Sequence, residues 1–573
     1  MEYFKKIWEV LIPEEKNKSL ILLLVLIVSM LMEVLGIGIF LPFMSALIDN
    51  ELFKTFPVLK NFDYFNNIND RTSLIISLTL LLCFVFFIKN LFLIFSTWLK
   101  AKYLADFNRR LSYDLFKLYL LSPYNFHIKN NSSRLIHNCS VVVNTCKEAI
   151  GFSLVLFSEL IVSFGILCLL FIIQPVAVLI TITISLILAF FYIKINRSRL
   201  IEWGKTIQFS EKIRLQHLMQ GLGSIKILKL LGNEDEFLKK FENFNKKVNK
   251  FLYLSNTLIN IPKFILEFFG VVIITILLVY LVSKNSTNEE ILLILGIFGV
   301  SAIRILPAIT RIINALECLS LYKYSVDTVY NEFNQSKAIN EKIDRKQISL
   351  SKGFSEFEIK DLSFKYEGAK DFALLDINFK INSGSYLGII GNSGSGKTTF
   401  VDILSGLLKP YSGKIFLDKK DITNEMNIWK NKIGYVPQNI YLTDDTLRSN
   451  IAFGVPEEKI DKKKIFKIIE ICELSDFVNN LKDNINEILG ERGVKISGGE
   501  KQRIGIARAL YHDPEVLIFD EFTSSLDEDT EKSILQNLKK LKKNKTIISI
   551  SHKNSTLVDC EKIITFKKGK IIN

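Results

Sequence analysis

The sequence has little of what builds disulfide frameworks, metal sites or secretion signals. Its seven cysteines are dispersed over 573 residues without a CxxC pair, so we expect neither a disulfide framework nor a zinc site. The N-terminal stretch MEYFKKIWEVLIPEEKNK is too charged for a signal-peptide core, and no small-residue cleavage site closes the apolar run behind it. We therefore expect the first apolar segment to be retained.

No motif that reads DNA or RNA accompanies the net charge of +14, so no nucleic-acid partner is expected. Hydrophobic residues are abundant instead: they make up 49% of the chain, and the mean hydropathy is +0.26. These values fit poorly with a chain that lies wholly in water. The Lys and Arg cluster beside apolar segments, which is typical of the cytoplasmic loops of a membrane protein.

Six apolar stretches before residue 320 are each long enough to span a bilayer, which takes about 20 residues. Two long loops, about 99–148 and 196–258, carry Lys and Arg near the membrane ends, so the positive-inside rule places the loops and both termini in the cytoplasm. Aromatic spacing at Phe53, Phe56, Phe62 and Phe65 predicts a short amphipathic helix on the outer surface. The six predicted spans are about 20–48, 73–98, 149–173, 176–195, 259–282 and 291–313.

A charged run from Asn331 to Gly353 separates the last span from a region in which strand and helix patterns alternate. We predict an α-helical membrane domain with six transmembrane helices at 1–330, a linker at 331–353 and an α/β P-loop nucleotide-binding domain at 354–573. Because the chain has one membrane domain and one nucleotide-binding domain, an assembly that needs two of each must be a dimer.

The nucleotide site is predicted by a complete P-loop pattern that follows a strand-like apolar run. Its glycines let backbone N–H groups turn inward around phosphates, and the helix behind it offers its positive end to them. Lys397 is expected to pair with the outer phosphates and Thr398 to ligate Mg²⁺, so ATP and Mg²⁺ are the expected cofactors. The predicted ATP-binding residues of this loop are Gly391, Asn392, Ser393, Gly394, Ser395, Gly396, Lys397, Thr398 and Thr399.

A second apolar run, at 515–519, ends in two carboxylates about 120 residues behind the P-loop, as a Walker B strand does. Asp520 is expected to hold Mg²⁺, directly or through water. Glu521 is expected to polarise the attacking water and is a predicted catalytic residue.

Between these motifs, the residues Ile496-Ser497-Gly498-Gly499-Glu500 resemble the LSGGQ signature of ABC ATPases, and the resemblance covers about 355–573. It implies that Ser497, Gly498, Gly499 and Glu500 bind the γ-phosphate of ATP held by the P-loop of a second identical chain. Glu500 stands where Gln is usual and adds a negative charge near that nucleotide.

The same resemblance assigns roles to residues elsewhere in the domain. Tyr366 is similar to the aromatic residue that stacks on adenine, although a strand position in the core is the alternative. Gln438 resembles the Q-loop glutamine that touches Mg²⁺, and the run from Ser524 to Asp527 resembles the D-loop. His552, one of only five histidines, resembles the switch histidine that contacts the γ-phosphate. The resemblance thus adds Gln438 and His552 to Glu521 as predicted catalytic residues.

Four cations interrupt the predicted spans, where ionised side chains are costly and mark functional sites by default. Alternatives exist for several of them: Lys263 can pair with Glu267, Lys89 can pair with Glu33, and Arg311 can lie beyond the lipid. An unpaired excess of cations in a cavity favours an anionic cargo, and phosphate suits Arg best. The predicted substrate-binding residues are Lys89, Lys263, Arg304 and Arg311.

The chain as a whole resembles the PglK-like group of half-size lipid-linked oligosaccharide flippases. The residues that carry this resemblance are the outer aromatic segment at 53–65, Lys89-Asn90, Pro262-Lys263 with Glu267-Phe-Phe-Gly270, Arg304-Ile-Leu-Pro307 with Arg311-Ile, and Val436-Pro-Gln-Asn-Ile-Tyr-Leu. This sequence has Lys at two positions where that group is expected to have Arg. The resemblance implies a homodimer in the bacterial inner membrane that flips an anionic polyprenyl-pyrophosphate glycan, within membrane lipid, to the outer leaflet.

Two other functions stay open at this point. A general lipid or multidrug exporter would have the same architecture, and a nucleotide-gated channel or regulator would not need hydrolysis. A soluble ABC ATPase that acts on DNA or ribosomes is disfavoured, because the chain has spanning segments where such proteins have coiled coils or linked ATPase pairs.

Overall fold

A computed structural model of the chain describes residues 2–48, 71–173, 175–284, 288–340, 353–490, 496–522, 526–541, 545–551, 557–558 and 560–572. The chain divides into two compact units. The first comprises Met1–Ser122 and His127–Asp344, and the second comprises Pro123–Phe126 and Arg345–Asn573. The division after residue 344 falls inside the predicted linker, and the last helix of the first unit runs on to Asn340.

The N-terminal part of the chain is helical, and each of the six predicted spans lies within one long helix. A π-helical turn at Asn138–Val142 precedes α6. The helices are α1 Glu2–Val10, α2 Pro13–Ile48, α3 Arg71–Leu121, α4 Tyr124–Lys129, α5 Ser132–His137, α6 Val143–Ile173, α7 Pro175–Gly223, α8 Ile225–Leu231, α9 Glu234–Ser283, α10 Asn288–Leu321 and α11 Lys323–Asn340.

Length and composition allow four helical stretches of the described residues to cross a membrane, and a bent pair is a fifth candidate. The bend between the members of that pair is 49°. Parts of α7 and α10 lie outside the described side chains, so two predicted spans are only partly represented. The four stretches are Pro13–Ile39, Ile75–Leu121, Ser132–Ile172 and Glu234–Ser283, and the pair is Ile305–Leu321 with Lys323–Gln335.

The helical unit is apolar both inside and outside. Val162, Ile166, Leu277 and Ile305 share one buried cluster that joins α6, α9 and α10. Many large apolar side chains on the surface are more than half exposed, which is the surface that lipid tails cover without penalty. Examples are Leu80, Phe84, Phe87, Ile94, Phe164, Leu186, Phe264 and Phe268.

The second unit is built on two sheets. One has the strand order β2-β1-β4-β5 and is antiparallel; the other has the order β10-β9-β3-β8-β7-β6, and its strands from β9 to β6 are parallel. The strands are β1 Glu356–Phe364, β2 Leu374–Asn382, β3 Tyr386–Gly391, β4 Ser412–Leu417, β5 Lys420–Asp421, β6 Ile433–Val436, β7 Val516–Asp520, β8 Thr546–Ile550, β9 Lys562–Lys567 and β10 Lys570–Ile571.

Helices complete the second unit. Strand β8 and the first four residues of β7 are fully buried, as expected for parallel strands covered on both faces. In such sheets, ligands bind at the carboxyl ends of the strands. The P-loop begins at the carboxyl end of β3, and Asp520 lies at the carboxyl end of β7. The helices are α12 Lys397–Leu404, α13 Asn427–Lys430, α14 Leu447–Ile451, α15 Lys462–Ile471, α16 Ser475–Asn479, α17 Gly498–Tyr511 and α18 Glu528–Leu541, with 3₁₀ turns at Glu457–Lys459 and Asn484–Asn486.

Candidate functional site: a nucleotide centre and cations in the spans

The P-loop follows β3 through two backbone conformations that only glycine adopts without strain. Gly391 has φ +151°, and a Cβ there would lie 2.4 Å from the carbonyl oxygen of Phe566. Gly396 has φ +105° and caps the N-terminus of α12, where a Cβ would lie 2.9 Å from the oxygen of Ala373. The glycine pattern in the sequence is therefore a steric requirement of the strand-loop-helix turn.

Lys397 is 9% exposed, and its Nζ donates to two carbonyls of its own loop, those of Gly391 at 2.5 Å and Asn392 at 3.1 Å. Burial lowers the pKa of Lys397, and the nearby carboxylates of Glu521 and Asp520 oppose that shift. The Ser395 hydroxyl is buried and has no hydrogen-bond partner among the described residues. A buried cation, an unused hydroxyl donor and a helix N-terminus form a donor set that fits a polyphosphate.

Asp520 ends β7 as the predicted magnesium ligand. Burial raises the pKa of Asp520; a hydrogen bond from Tyr435 opposes this shift, Glu521 adds to it, and Lys397 opposes it. The Tyr435 hydroxyl donates to Oδ2 of Asp520 at 3.2 Å. Together with the exposed hydroxyl residue Thr398, this carboxylate supplies the hard oxygen ligands that Mg²⁺ prefers.

Glu521 and Gln438 come together across two strand ends. Gln438 Nε2 donates to Glu521 Oε2 at 2.6 Å, although the two residues are 83 positions apart. Glu521 has φ +47°, in the left-handed region, and its N–H donates to the oxygen of Ile550 at 3.0 Å. Such backbone strain in a non-glycine residue is typical of functional sites. The geometry thus joins the predicted catalytic carboxylate to the predicted Q-loop amide.

The signature residues start a helix. Ser497 is the N-cap of α17 and forms a capping box with Glu500. The Ser497 N–H and hydroxyl both donate to Glu500 Oε2, at 2.8 and 2.7 Å, and the Glu500 N–H donates back to the Ser497 hydroxyl at 3.3 Å. The glutamate that departs from the usual signature therefore stabilises the helix that presents Ser497, Gly498 and Gly499.

Replacing Glu500 with Gln should keep this box, because either side chain at the third helical position can accept the bonds. The change removes a negative charge beside the proposed nucleotide, so we expect the KM for ATP to fall about two- to fivefold. Steady-state ATPase assays over a range of ATP concentrations measure it. Glu500→Ala is the control, because it removes both the charge and the box and should lower helix stability by about 1 kcal/mol. An unchanged KM in Glu500→Gln would contradict the expected electrostatic effect.

The Tyr366 side chain makes contacts inside the domain that its predicted adenine-stacking role does not require. Its hydroxyl shares a hydrogen bond of 3.1 Å with Thr399, and its ring meets Phe364 edge-on at 5.0 Å. The stacking role stays a prediction. His552 and Ser524 lie outside the described residues. Asp527 accepts a hydrogen bond from the N–H of Thr530 at 3.0 Å.

Two groups beside Asp520 were not predicted from the sequence. Tyr435 lies on β6 opposite Ile518, so its position next to the Walker B strand follows from strand pairing. Asp402 lies five residues after Lys397 on α12. Burial, with a smaller contribution from Asp520, raises the pKa of Asp402 to about 6.

The raised pKa of Asp402 predicts a pH-dependent loss of folding stability. Because the folded-state pKa exceeds the ordinary value of 3.8, ionisation penalises the folded state; the penalty grows from about pH 4 to pH 6 and is constant above that. Asp402→Asn should therefore stabilise the protein by about 1 kcal/mol above pH 6 and converge with wild type towards pH 4. Thermal unfolding of the full chain at several pH values measures this difference, and a pH-independent difference would contradict the assignment.

The cations in the spans have different surroundings. Lys89 Nζ lies 4.1 Å from the centroid of the Phe86 ring. The Lys89 side chain packs against Gly36, where an added Cβ would lie 3.3 Å from its Cδ. Lys263 is exposed, with Nζ 5.9 Å from the centroid of the Phe264 ring. Within the described part of the chain, no ion pair joins Lys263 to Glu267. The Arg304 side chain and the aromatic segment at 53–65 lie outside the described residues.

Arg311 differs from the prediction of an unpaired cation. Its Nε and Nη2 donate to the two carboxylate oxygens of Glu159 at 2.7 and 3.2 Å. The pair joins α10 to α6 and neutralises the charge that Arg311 was expected to offer to a cargo. The sequence contained the partner, but 152 positions separate the two residues, and neither helical spacing nor strand pairing relates them.

Comparison with known proteins covers both parts of the chain. Residues 374–524 match the family described as ABC transporter, and residues 19–300 match the family described as ABC transporter transmembrane region. A bacterial Atm1-family ABC exporter with ATP bound superposes with a TM-score of 0.76 at 19% identity, covering 95% of this chain and 93% of that chain. Together, the two family matches and this shared fold confirm the predicted order of a helical membrane domain followed by an ABC ATPase domain.

Relatives differ in how much of the chain they share. An ATP-dependent lipid A-core flippase of Wigglesworthia glossinidia brevipalpis is 28% identical over 499 residues, which is 83% of this chain and 81% of that protein. The lipid A-core flippase of Vibrio vulnificus is 35% identical over 39% of this chain and 38% of its own length. The toxin RTX-III translocation ATP-binding protein of Actinobacillus pleuropneumoniae is 35% identical over 39% of this chain and 32% of its own length. Of these three relatives, the two with the higher identity match only about two fifths of this chain.

Proposed function

We propose that this chain, which is an ABC exporter half-transporter, flips a lipid with an anionic headgroup across a membrane. The chain is an ATPase whose hydrolysis is coupled to transport, and its cofactor is ATP with Mg²⁺. The observation that carries the lipid proposal is the 28% identity to a lipid A-core flippase over 499 residues, because that match extends far beyond the ATPase.

The nucleotide chemistry follows from the residues at the strand ends. Bound ATP supplies the phosphoanhydride whose cleavage drives the cycle. On binding ATP, Lys397 would exchange the carbonyls of Gly391 and Asn392 for phosphate oxygens, and Asp520 with Thr398 would hold the Mg²⁺ that neutralises charge on the phosphates. Glu521, oriented by Gln438, accepts a proton from the attacking water.

The proposal includes a homodimer. Ser497 begins a helix whose amides point outward from the N-terminus, as γ-phosphate recognition requires, but the chain has one such signature and one P-loop. Two chains arranged head to tail at their ATPase domains would complete two sites. Closure of these sites would bias the membrane helices between two states.

The cargo is proposed to be a polyprenyl-pyrophosphate-linked oligosaccharide that moves from the cytoplasmic to the outer leaflet of a bacterial inner membrane. Lys89 supports an anionic headgroup, since a cation in a span costs about 2.5–3.5 kcal/mol and is rarely kept without a role. The sequence places Lys263 and Arg304 in spans as well. Arg311 contributes less, because Glu159 already pairs with it.

A general exporter is the second candidate. The match to the toxin RTX-III translocation ATP-binding protein covers only 39% of this chain. A match of that length is shared among proteins named for unrelated cargoes, so it does not favour one cargo over another. The cations in the spans favour an anionic cargo over an apolar cationic drug, because like charges repel each other.

The experiment compares two triple variants in proteoliposomes. Lys89→Gln/Lys263→Gln/Arg304→Gln removes three of the four span cations and leaves Arg311, which is paired with Glu159. Lys100→Gln/Lys205→Gln/Lys212→Gln removes three cations from the predicted loops. We expect the first to lower flipping of a pyrophosphate-linked oligosaccharide at least about tenfold with ATPase activity retained, because each lost headgroup contact is worth about 1 kcal/mol or more. The loop variant should flip normally. Normal flipping by the span variant would contradict the proposed cargo.

A further inference from the structure

A cavity of about 330 Å³ lies in the helical unit where the N-terminal helix α1 meets α7, α10 and α11. It is lined by Tyr3, Phe4 and Lys6 from α1, and it reaches Lys323 at the start of α11. The volume is at the lower end of the range for ligand pockets in proteins. None of its lining residues belongs to the nucleotide site or to the span cations proposed to hold the cargo.

The walls of this cavity divide into an apolar part and a basic part. The apolar part is formed by Phe4, Ile193, Ile201, Leu316 and Leu319. The basic part is formed by Lys6, Arg197 and Lys323, of which Arg197 and Lys323 are exposed. Pockets that combine an apolar lining with a few cations suit a ligand that is itself half apolar and half anionic.

Not all of this positive charge is available to a ligand. Lys6 Nζ donates to Asp327 at 2.7 Å, and this pair holds α1 against α11 together with a bond of 2.8 Å from the Tyr330 hydroxyl to Glu9. No carboxylate lies within 4.0 Å of the Arg197 guanidinium or the Lys323 ammonium among the described residues. These two cations are therefore the ones that can bind an anion.

The position of the cavity fits the headgroup level of the cytoplasmic leaflet. Arg197 lies two residues beyond the predicted end of the fourth span, and Lys323 lies just after the 49° bend that follows α10. Helix α1 buries Ile7 and Val10 but exposes Trp8 by 45% and Phe4 by 36%, as a helix lying in the membrane interface does. Cations at this depth attract anionic lipids.

We propose that this cavity is a binding site for the phosphate headgroup and upper acyl chain of an anionic phospholipid of the cytoplasmic leaflet. Arg197 and Lys323 bind the phosphate, and the acyl chain packs on Leu316 and Leu319. The site is separate from the proposed cargo site. Lipid bound here ties α1 to the bend between α10 and α11.

The test measures lipid binding to the full-length protein in neutral detergent by native mass spectrometry, without ATP or transport. Dioctanoyl phosphatidylglycerol is titrated against wild type and Arg197→Gln/Lys323→Gln. The matched control is Arg199→Gln/Lys205→Gln, which makes the same charge change on exposed positions of α7 outside the cavity lining. Dioctanoyl phosphatidylcholine and millimolar inorganic phosphate serve as competitors.

We expect the affinity for phosphatidylglycerol to fall at least about tenfold in Arg197→Gln/Lys323→Gln, because each cation contributes on the order of a tenfold attraction. The control variant should stay within about twofold of wild type. Neither phosphatidylcholine nor inorganic phosphate should displace the lipid. An equal loss of affinity in the control variant would show that binding depends only on the general surface charge. Displacement of the lipid by inorganic phosphate would show that the cavity is a phosphate site. Either result would overturn the lipid proposal. Because no step depends on transport, failure here leaves the proposed flipping untouched.

Discussion

Glu521→Gln is expected to bind ATP as wild type does and to hydrolyse it about 10²–10⁴ times more slowly, which is the usual contribution of a general base. The amide is nearly isosteric with the carboxylate, and its oxygen can still accept the hydrogen bond that Gln438 donates at 2.6 Å. What the amide cannot do is take the proton of the attacking water. ATPase assays and nucleotide-binding titrations on the full chain measure the two quantities separately.

The same variant separates a pump from a gated channel. A pump with Glu521→Gln must stop moving its cargo, whereas a nucleotide-gated pore would stay open longer and pass more of it. Glu458→Gln is the matched control, since Glu458 is exposed and lies outside the site described above. Hydrolysis at the wild-type rate in Glu521→Gln would show that another group is the base.

Gly204→Ala is expected to lower the stability of the helical unit by about 3 kcal/mol, at the upper end of the cost of overpacking. Gly204 lies on α7, and an added Cβ would come 1.9 Å from the backbone oxygen of Leu321, where α10 ends. A backbone oxygen at a helix end cannot rotate away as a side chain can, so α7 must separate from α10. Thermal unfolding of the detergent-solubilised protein measures the loss.

Gly221→Ala, on the same helix, is expected to have the opposite effect on stability. An added Cβ at Gly221 lies 3.6 Å from a ring carbon of Phe237, which is an ordinary contact. Replacing glycine by alanine in a helix otherwise gains about 0.5–1 kcal/mol, so this variant should be slightly stabilised. Equal effects of the two substitutions would show that α7 and α10 are not packed as described.

Features that depend on local pattern were predicted well. The six spans each lie on one long helix, because 20 apolar residues in a row leave the backbone no alternative in lipid. The P-loop at Gly391 and the strand that ends at Asp520 were found because steric and charge requirements fix their residue types at fixed spacings. The fold of the ATPase half follows from these motifs.

Features that depend on long-range contact were not predicted. The pair between Arg311 and Glu159 joins two helices far apart in the sequence, so the expectation of a free Arg311 was wrong. The bond from Tyr435 to Asp520 needs the strand order, which the sequence pattern does not contain. The capping box of Glu500 is different: Ser497 followed three residues later by Glu is a local signal, and it was available in the sequence.

The central claim, that ATP hydrolysis flips an anionic lipid, is tested most directly by translocation in proteoliposomes. Three labelled molecules are compared in wild type and Glu521→Gln: a polyprenyl-pyrophosphate-linked oligosaccharide, a neutral lipid carrying the same glycan without the pyrophosphate, and an apolar cationic drug. We predict ATP-dependent transfer of the pyrophosphate lipid alone, which stops in Glu521→Gln. Transfer of the neutral lipid or the drug at a comparable rate, or transfer that continues in Glu521→Gln, would contradict the account.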